Sequence, residues 1–365
     1  MSGKSYSENG DEPLVSILTP AYNHEKYVSV FLDNILAQTY QNFELIIVDD
    51  CSTDKTALII EQYKDERIHF FRNVFNRGMN GNLNVAFSRA KGEYIAILAS
   101  DDFLEHQYLE EMIAYFEQHK DFAVVYPKIQ KVDEAGNLIP NQEEYKISGE
   151  RFQMLKSFFY YGNGMGSPGM MINRKYADMI FPLDEGIQQH QDFIIHIQLL
   201  LQAECGFLDI PLVNYRVPTD DNNHLSSNEK KAFKRIEIET PLALDYFVNG
   251  IKSVPLLKQI FGPDLNPFGE PTEETIPYFL ARLALSKPEN RLLALWGFRN
   301  LIRFLNKKGN MDLLHSLYGF DYKTFSQLSE QVHLLDFFLE KQEQTFTQST
   351  SWKITKPLRK LKEML

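Results

Sequence analysis

Cysteine is scarce: the 365 residues contain two, Cys51 and Cys205. Two cysteines so far apart make neither a disulfide framework nor a zinc-ligand pair, so a reducing compartment is expected. No apolar run approaches the roughly 20 residues that a membrane-spanning helix needs. The polar opening MSGKSYSENGDEP has no apolar h-region of a signal peptide, and a cytoplasmic protein is the expectation. Positive charge is also short, with 38 Lys and Arg against 49 Asp and Glu and a net charge of −11. That balance argues against nucleic acid as a partner.

What is present is an ordinary globular composition, 44% hydrophobic and 24% charged, in a chain long enough for a large core. The first half alternates strands and helices. PLVSILTPAYN reads as a buried strand running into a loop, and KYVSVFLDNILAQT places Val28, Phe31, Leu32, Ile35 and Leu36 on one helix face. FELIIVDDCSTDKT repeats the plan, with Ser52, Thr53 or Asp54 as helix caps. ALIIEQYK, RIHFFRN, GNLNVAFSRAKG and EYIAILAS then give helix, strand, helix stopped by Gly92, and strand. Such alternation predicts right-handed crossovers and a mainly parallel sheet, which binds ligands beyond the carboxyl ends of its strands. TPAYN, VDDCSTD and ASDD all fall there.

Adjacent acids at a strand end repel each other in a partly desolvated place. Asp101 and Asp102 therefore pose a choice. Either a divalent cation or sugar hydroxyls share the site, in which case oxygen-only ligands favour Mg²⁺ or Mn²⁺ over Zn²⁺. Or the two acids open a helix, Asp101 as cap and Asp102 in the first turn.

The run from VSILTPAYN through VDDCSTDKT and NRGMNGNLNVAFSRAKG to ASDDFLEHQYLEEM resembles the family-2 glycosyltransferases, over roughly residues 13 to 217. The resemblance implies a GT-A fold: α/β, Rossmann-like, a mainly parallel sheet flanked by helices, here with a C-terminal helical region. It implies that Pro20, Ala21, Tyr22 and Asn23 lie along the nucleotide base of a nucleotide-diphosphate sugar, UDP-sugar favoured. Asp50 would bond the base, Asp101 the ribose, and Asp102, with Asp101, a Mn²⁺ or Mg²⁺ ion bridging the diphosphate. Ala99 stands where many members carry an Asp.

Glycosyl transfer needs a base for the acceptor hydroxyl. Asp192 opens an apolar helical run and matches the family's Glu-Asp motif, with Gln191 in place of the Glu, so the resemblance makes it the general base of an inverting enzyme. A helix-start acid is the structural alternative. His190 and His196 flank it without further zinc ligands at suitable spacing; His190 is placed at the acceptor cleft and His196 in packing or facing solvent. Cys205 is expected to pack as a small apolar residue, and Cys51 has no basic neighbour to activate it.

The Gly-rich YYGNGMGSPGMMINRK puts Met165, Gly166 and Ser167 near the donor or acceptor pocket, or is a plain connection. RVPTDDNNHLSSNEKK reads as a mobile active-site loop, from which His224 would reach the diphosphate or metal. The expected organisation is a flexible 1–12, a glycosyltransferase domain over 13–222 divided at 128/129, a helical region over 223–345, and a basic tail over 346–365. Leu328, Val332, Leu335 and Leu339 suit an oligomer interface or packing on the domain. The tail, SWKITKPLRKLKEML, suits an anionic membrane surface. The acceptor implied is a saccharide or lipid-linked saccharide of a surface glycan. Two alternatives stand beside the enzyme. A sugar nucleotidyltransferase would need a Gly-rich loop, and TPAYNHEKY holds no Gly. A non-catalytic glycan-binding member would be consistent with Ala99 and Gln191.

Overall fold

The computed structural model describes residues 12–140, 149–217 and 229–330. The chain divides into two compact units, Met1–Ile251 and Lys252–Leu365. The expected boundary at 222/223 lies outside the described residues, as do His224, Val332, Leu335, Leu339 and the basic tail.

The first unit is built on one eight-stranded sheet in the order β3-β2-β1-β4-β7-β6-β8-β5. Its strands are β1 (Val15–Ala21), β2 (Phe43–Asp49), β3 (Ile68–Arg72), β4 (Tyr94–Ile97), β5 (Phe103–Leu104), β6 (Val124–Val132), β7 (Met171–Asn173) and β8 (Cys205–Arg216). β3, β2, β1 and β4 are parallel neighbours. β7 runs against both β4 and β6, while β8 is parallel to β6. The ends of β1, β2, β4, β6 and β8 consequently share one edge. Every residue of β1 and β2 is buried, the polar Ser16, Thr19, Glu44 and Asp49 included, as in strands covered on both faces.

The helices of this unit are α1 (Val28–Leu36), α2 (Thr56–Ile60), α3 (Gly78–Phe87), α4 (Tyr108–Gln118), α5 (Arg151–Tyr161), α6 (Arg174–Ile180), α7 (Gln191–Gln202) and α8 (Glu229–Gly250). The amphipathic face of α1 is buried as its spacing predicts, through Val28, Phe31, Leu32 and Ile35. Gly92, expected to stop a helix, lies five residues beyond the end of α3. A side chain there would meet the backbone N of Ser16 at 2.5 Å, so the residue is glycine because β1 passes too close for anything larger.

Among its described residues the second unit is helical: α9 (Val254–Phe261), α10 (Ile276–Leu285), α11 (Arg291–Leu305), α12 (Asn310–Tyr318) and α13 (Tyr322–Ser329), with 3₁₀ turns between α9 and α10. Gly297 lets α11 approach α10, since a Cβ there would sit 2.7 Å from that of Ala284. Trp296, Tyr278 and Phe279 fill this core, each worth on the order of 1.5–3 kcal/mol or more of burial. No helix among the described residues is long and apolar enough to cross a membrane.

Candidate active site

The site begins where β1 and β2 run out. Pro20 and Ala21 are the last two residues of β1 and are buried, so the loop itself starts at Tyr22, which is 40% exposed. Asn23 and Cys51 both adopt left-handed backbone, φ 54° and 62°. Such a conformation is uncommon outside glycine and has to be held by its surroundings. Here the two loops hold each other: Asn23 N–H donates to Ser52 Oγ at 2.9 Å, and Thr53 N–H donates to Asn23 Oδ1 at 2.9 Å. Asp49 is wholly buried and pairs with Arg72 at 3.1 Å. Asp50, 2% exposed, accepts from Asn73 Nδ2 (3.0 Å), Arg77 N–H (2.7 Å) and Gly78 N–H (2.8 Å). Its carboxylate thus sits on the positive end of α3.

At the end of β4 the choice left open by the sequence is settled against helix caps. Phe103 and Leu104 form strand β5, and the next helix starts only at Tyr108. Asp101 lies 3.8 Å from Nε2 of His24, whose Nδ1 is 2.7 Å from Ser100 Oγ. Asp102 is 4% exposed and accepts the Arg216 N–H at 2.9 Å. The Arg216 guanidinium donates to the Asp101 carbonyl at 2.9 Å and lies over the rings of Tyr27 and Phe103. Burial, then the Asp101 charge, pushes the Asp102 carboxyl well above the usual carboxylate range, against the pull of Arg216.

No cluster of three His, Cys, Asp or Glu suited to a metal occurs among the described residues. The pair nevertheless fits a hard divalent ion. Mg²⁺ commonly takes one or two carboxylates and completes its shell from substrate phosphates and water. A buried carboxylate whose charge is disfavoured by burial and by a like neighbour is stabilised by a cation.

Asp192 lies in the first turn of α7, half-buried. Its Oδ1 accepts the Phe193 N–H at 2.7 Å, and its Oδ2 accepts from Asn163 Nδ2 at 3.3 Å. Burial raises its carboxyl to about 6, opposed by those bonds and by the Ser167 hydroxyl. The Gly-rich segment therefore lies beside Asp192. Asn163 Oδ1 also accepts the Met165 N–H at 3.0 Å, and Met165 and Gly166 are buried behind it. His190 is buried against α8, with Nε2 2.9 Å from Thr240 Oγ1. His196 is fully buried; its Nδ1 is 2.8 Å from the Tyr126 hydroxyl, and burial lowers its ring to about 3. The Cys205 thiol is pushed up to about 12, chiefly by burial.

The segment leading into α7 is clasped from two sides. Asn84 exchanges two hydrogen bonds with the Leu183 backbone, at 2.7 and 2.8 Å, and Asn80 donates to the Asp184 carbonyl at 2.8 Å. Asn163, Arg216, His24 and the α8 contacts were not singled out from the sequence. Asn163 lay inside a segment that was; Arg216, a charge closing an apolar strand, offered a signal; Glu239, in an amphipathic helix, offered none.

Residues 16–181 match the family model described as glycosyl transferase family 2. The putative teichuronic acid biosynthesis glycosyltransferase TuaG of Bacillus subtilis is 32% identical over 228 residues, which are 61% of this chain and 86% of that one. The Escherichia coli glucosyltransferase WfgD, which acts from UDP-Glc on α-D-GlcNAc-diphosphoundecaprenol to form a β-1,3 linkage, is 29% identical over 66% of this chain and 95% of its own. Among solved structures, residues 1–349 of Staphylococcus aureus TarS in complex with UDP-GlcNAc superpose with a TM-score of 0.51. The identity is 19%, over 85% of this chain and 93% of that one.

Proposed function

Since the chain belongs to glycosyl transferase family 2 and has the GT-A fold, we propose that it moves a sugar from a nucleoside-diphosphate donor, UDP-linked by preference, onto a saccharide or lipid-linked saccharide acceptor. TuaG is named for teichuronic acid biosynthesis, and WfgD takes UDP-Glc onto a sugar linked to diphosphoundecaprenol, which supports that choice of donor and acceptor. The observation that carries the reading is Asp192: a half-buried carboxylate at a helix start, raised to about 6 by burial. A base with that proton affinity is ionised at neutral pH yet still basic enough to take a proton.

In this reading the Asp192 carboxylate takes the acceptor hydroxyl's proton as the oxygen attacks the anomeric carbon from the face opposite the departing diphosphate, inverting that centre. Asn163 holds the carboxylate in place. Tyr22, Asn23 and Asp50 border the base of the donor, Asp101 its ribose, and Asp102 its diphosphate. Asp101 and Asp102 would also hold Mg²⁺ or Mn²⁺, which when bound neutralises charge on the nucleoside diphosphate.

A thermal-shift panel of nucleoside diphosphates and nucleotide sugars, with and without Mn²⁺, tests it. Binding to the native state alone must raise the Tm. A metal-dependent rise with one nucleotide, lost in Asp102→Ala, is expected. No rise with any nucleotide would overturn the reading.

A further inference from the structure

Glu239 of α8 is a buried carboxylate, 4% exposed, in a helix well beyond the residues matched by the family model. A buried charge is costly unless its oxygens are satisfied. Its oxygens accept three successive backbone N–H groups: Gln188 at 3.0 Å on Oε1, then Gln189 at 2.8 Å and His190 at 3.0 Å on Oε2. These are the residues immediately before α7. His190 is its N-cap and supplies no side-chain cap of its own.

The next residues of α8 tighten the same clasp. Thr240 Oγ1 donates its only proton to the Ile236 carbonyl at 2.6 Å, so in its contact with His190 Nε2 at 2.9 Å it must accept. That fixes the imidazole with its proton on Nε2. Pro241 follows, whose missing N–H interrupts the helix's own ladder beside the contact. One turn further on, the Tyr246 hydroxyl donates to Asp184 Oδ2. Glu239, Thr240 and Tyr246 of α8 thus reach residues 184–190, Glu239 through their backbone.

We propose that Glu239 is a positioning residue of the transfer reaction: by taking the N–H groups of residues 188–190 it fixes where α7 begins, and so where the Asp192 carboxylate stands. The inference rests on Asp192 being the base. A carboxylate suits the task because it has no donor of its own to oppose three converging N–H groups. Glutamine keeps one oxygen and turns an NH₂ toward them.

The test compares Glu239→Gln, Glu239→Asp and Asp192→Asn in the full chain. It measures the nucleotide-induced Tm rise, kcat and donor KM for nucleoside diphosphate release, and hydrogen exchange at residues 188–190. Glu239→Gln is expected to keep the nucleotide response and a donor KM within about twofold, while 188–190 exchange faster. Its kcat is expected to fall on the order of 10²-fold, the scale of a small displacement of a catalytic group. Glu239→Asp, retaining the charge, is expected to recover part of that loss. A folded Glu239→Gln with the kcat of the wild type, beside an inactive Asp192→Asn, overturns the proposal. An active Asp192→Asn instead overturns the reading beneath it, a distinguishable result. Should Glu239→Gln not fold, Glu239→Asp carries the same split: lower kcat at unchanged donor KM is expected, and parallel losses of nucleotide affinity and kcat overturn it.

Discussion

Asp102 and Asp192 are both acids that burial pushes upward, but the groups around them differ in kind. Asp102 stands next to a second carboxylate, accepts the Arg216 N–H and feels the positive charge of Arg216. Asp192 is met by neutral donors, the Phe193 N–H and the Asn163 amide. A carboxylate beside a like charge is stabilised by a cation, whereas one met by neutral donors alone keeps a raised proton affinity where burial outweighs them. In the proposed reaction, that contrast would separate a place for a charged leaving group from a place for proton transfer.

The largest test of that contrast is Asp192→Asn. Turnover should fall by about 10²–10⁴-fold, the usual worth of a general base, while the metal-dependent nucleotide response stays intact in a thermal-shift assay. Asp102→Ala should instead remove the metal-dependent part of the Tm rise; a ligand at 100 times its Kd contributes about 2.7 kcal/mol, all of it visible in that assay. Equal behaviour of the two variants would erase the distinction.

A smaller effect concerns stability. The Asp192 carboxyl rises from its ordinary value to about 6 on folding, so the folded state binds the extra proton and stability falls as pH climbs from about 4 to about 6. Asparagine carries no such loss. Asp192→Asn should therefore be more stable than the parent chain at pH 7, by on the order of 1–3 kcal/mol, with the advantage gone below about pH 4. Calorimetry at the two pH values measures it. The smallest effect is on the rate profile: kcat should rise through about pH 6 as Asp192 ionises. Because the Asn163 bond favours the charged form, Asn163→Ala should move that limb to higher pH by a fraction of a unit.

The strands were readable because β1 and β2 are rich in Val, Ile and Leu, and the strand-end acids because they follow those runs. The role of Gly92 was not readable, since it depends on how near β1 passes. The local pattern at ASDD fitted a helix start equally well; only the pairing of Phe103 and Leu104 with β8 excludes that. Asp192 could be placed at a helix start, but its raised proton affinity comes from burial by residues distant in sequence. Asn163 and Glu239 reach the site from 29 and 49 or more positions away, and no periodicity reports such contacts.

Helix α3 carries Asp50 against its first N–H groups and, one and two turns on, the asparagines that grip residues 183–184. At about 1.5 Å per residue, Gly78 to Asn84 spans about 9 Å of rigid rod. For anyone recombining members of this family, that rod sets the natural unit of exchange. A borrowed segment 182–191 would need its donor's Asn80 and Asn84 equivalents with it. Transplanted alone, it would arrive without the two fasteners that index it to Asp50.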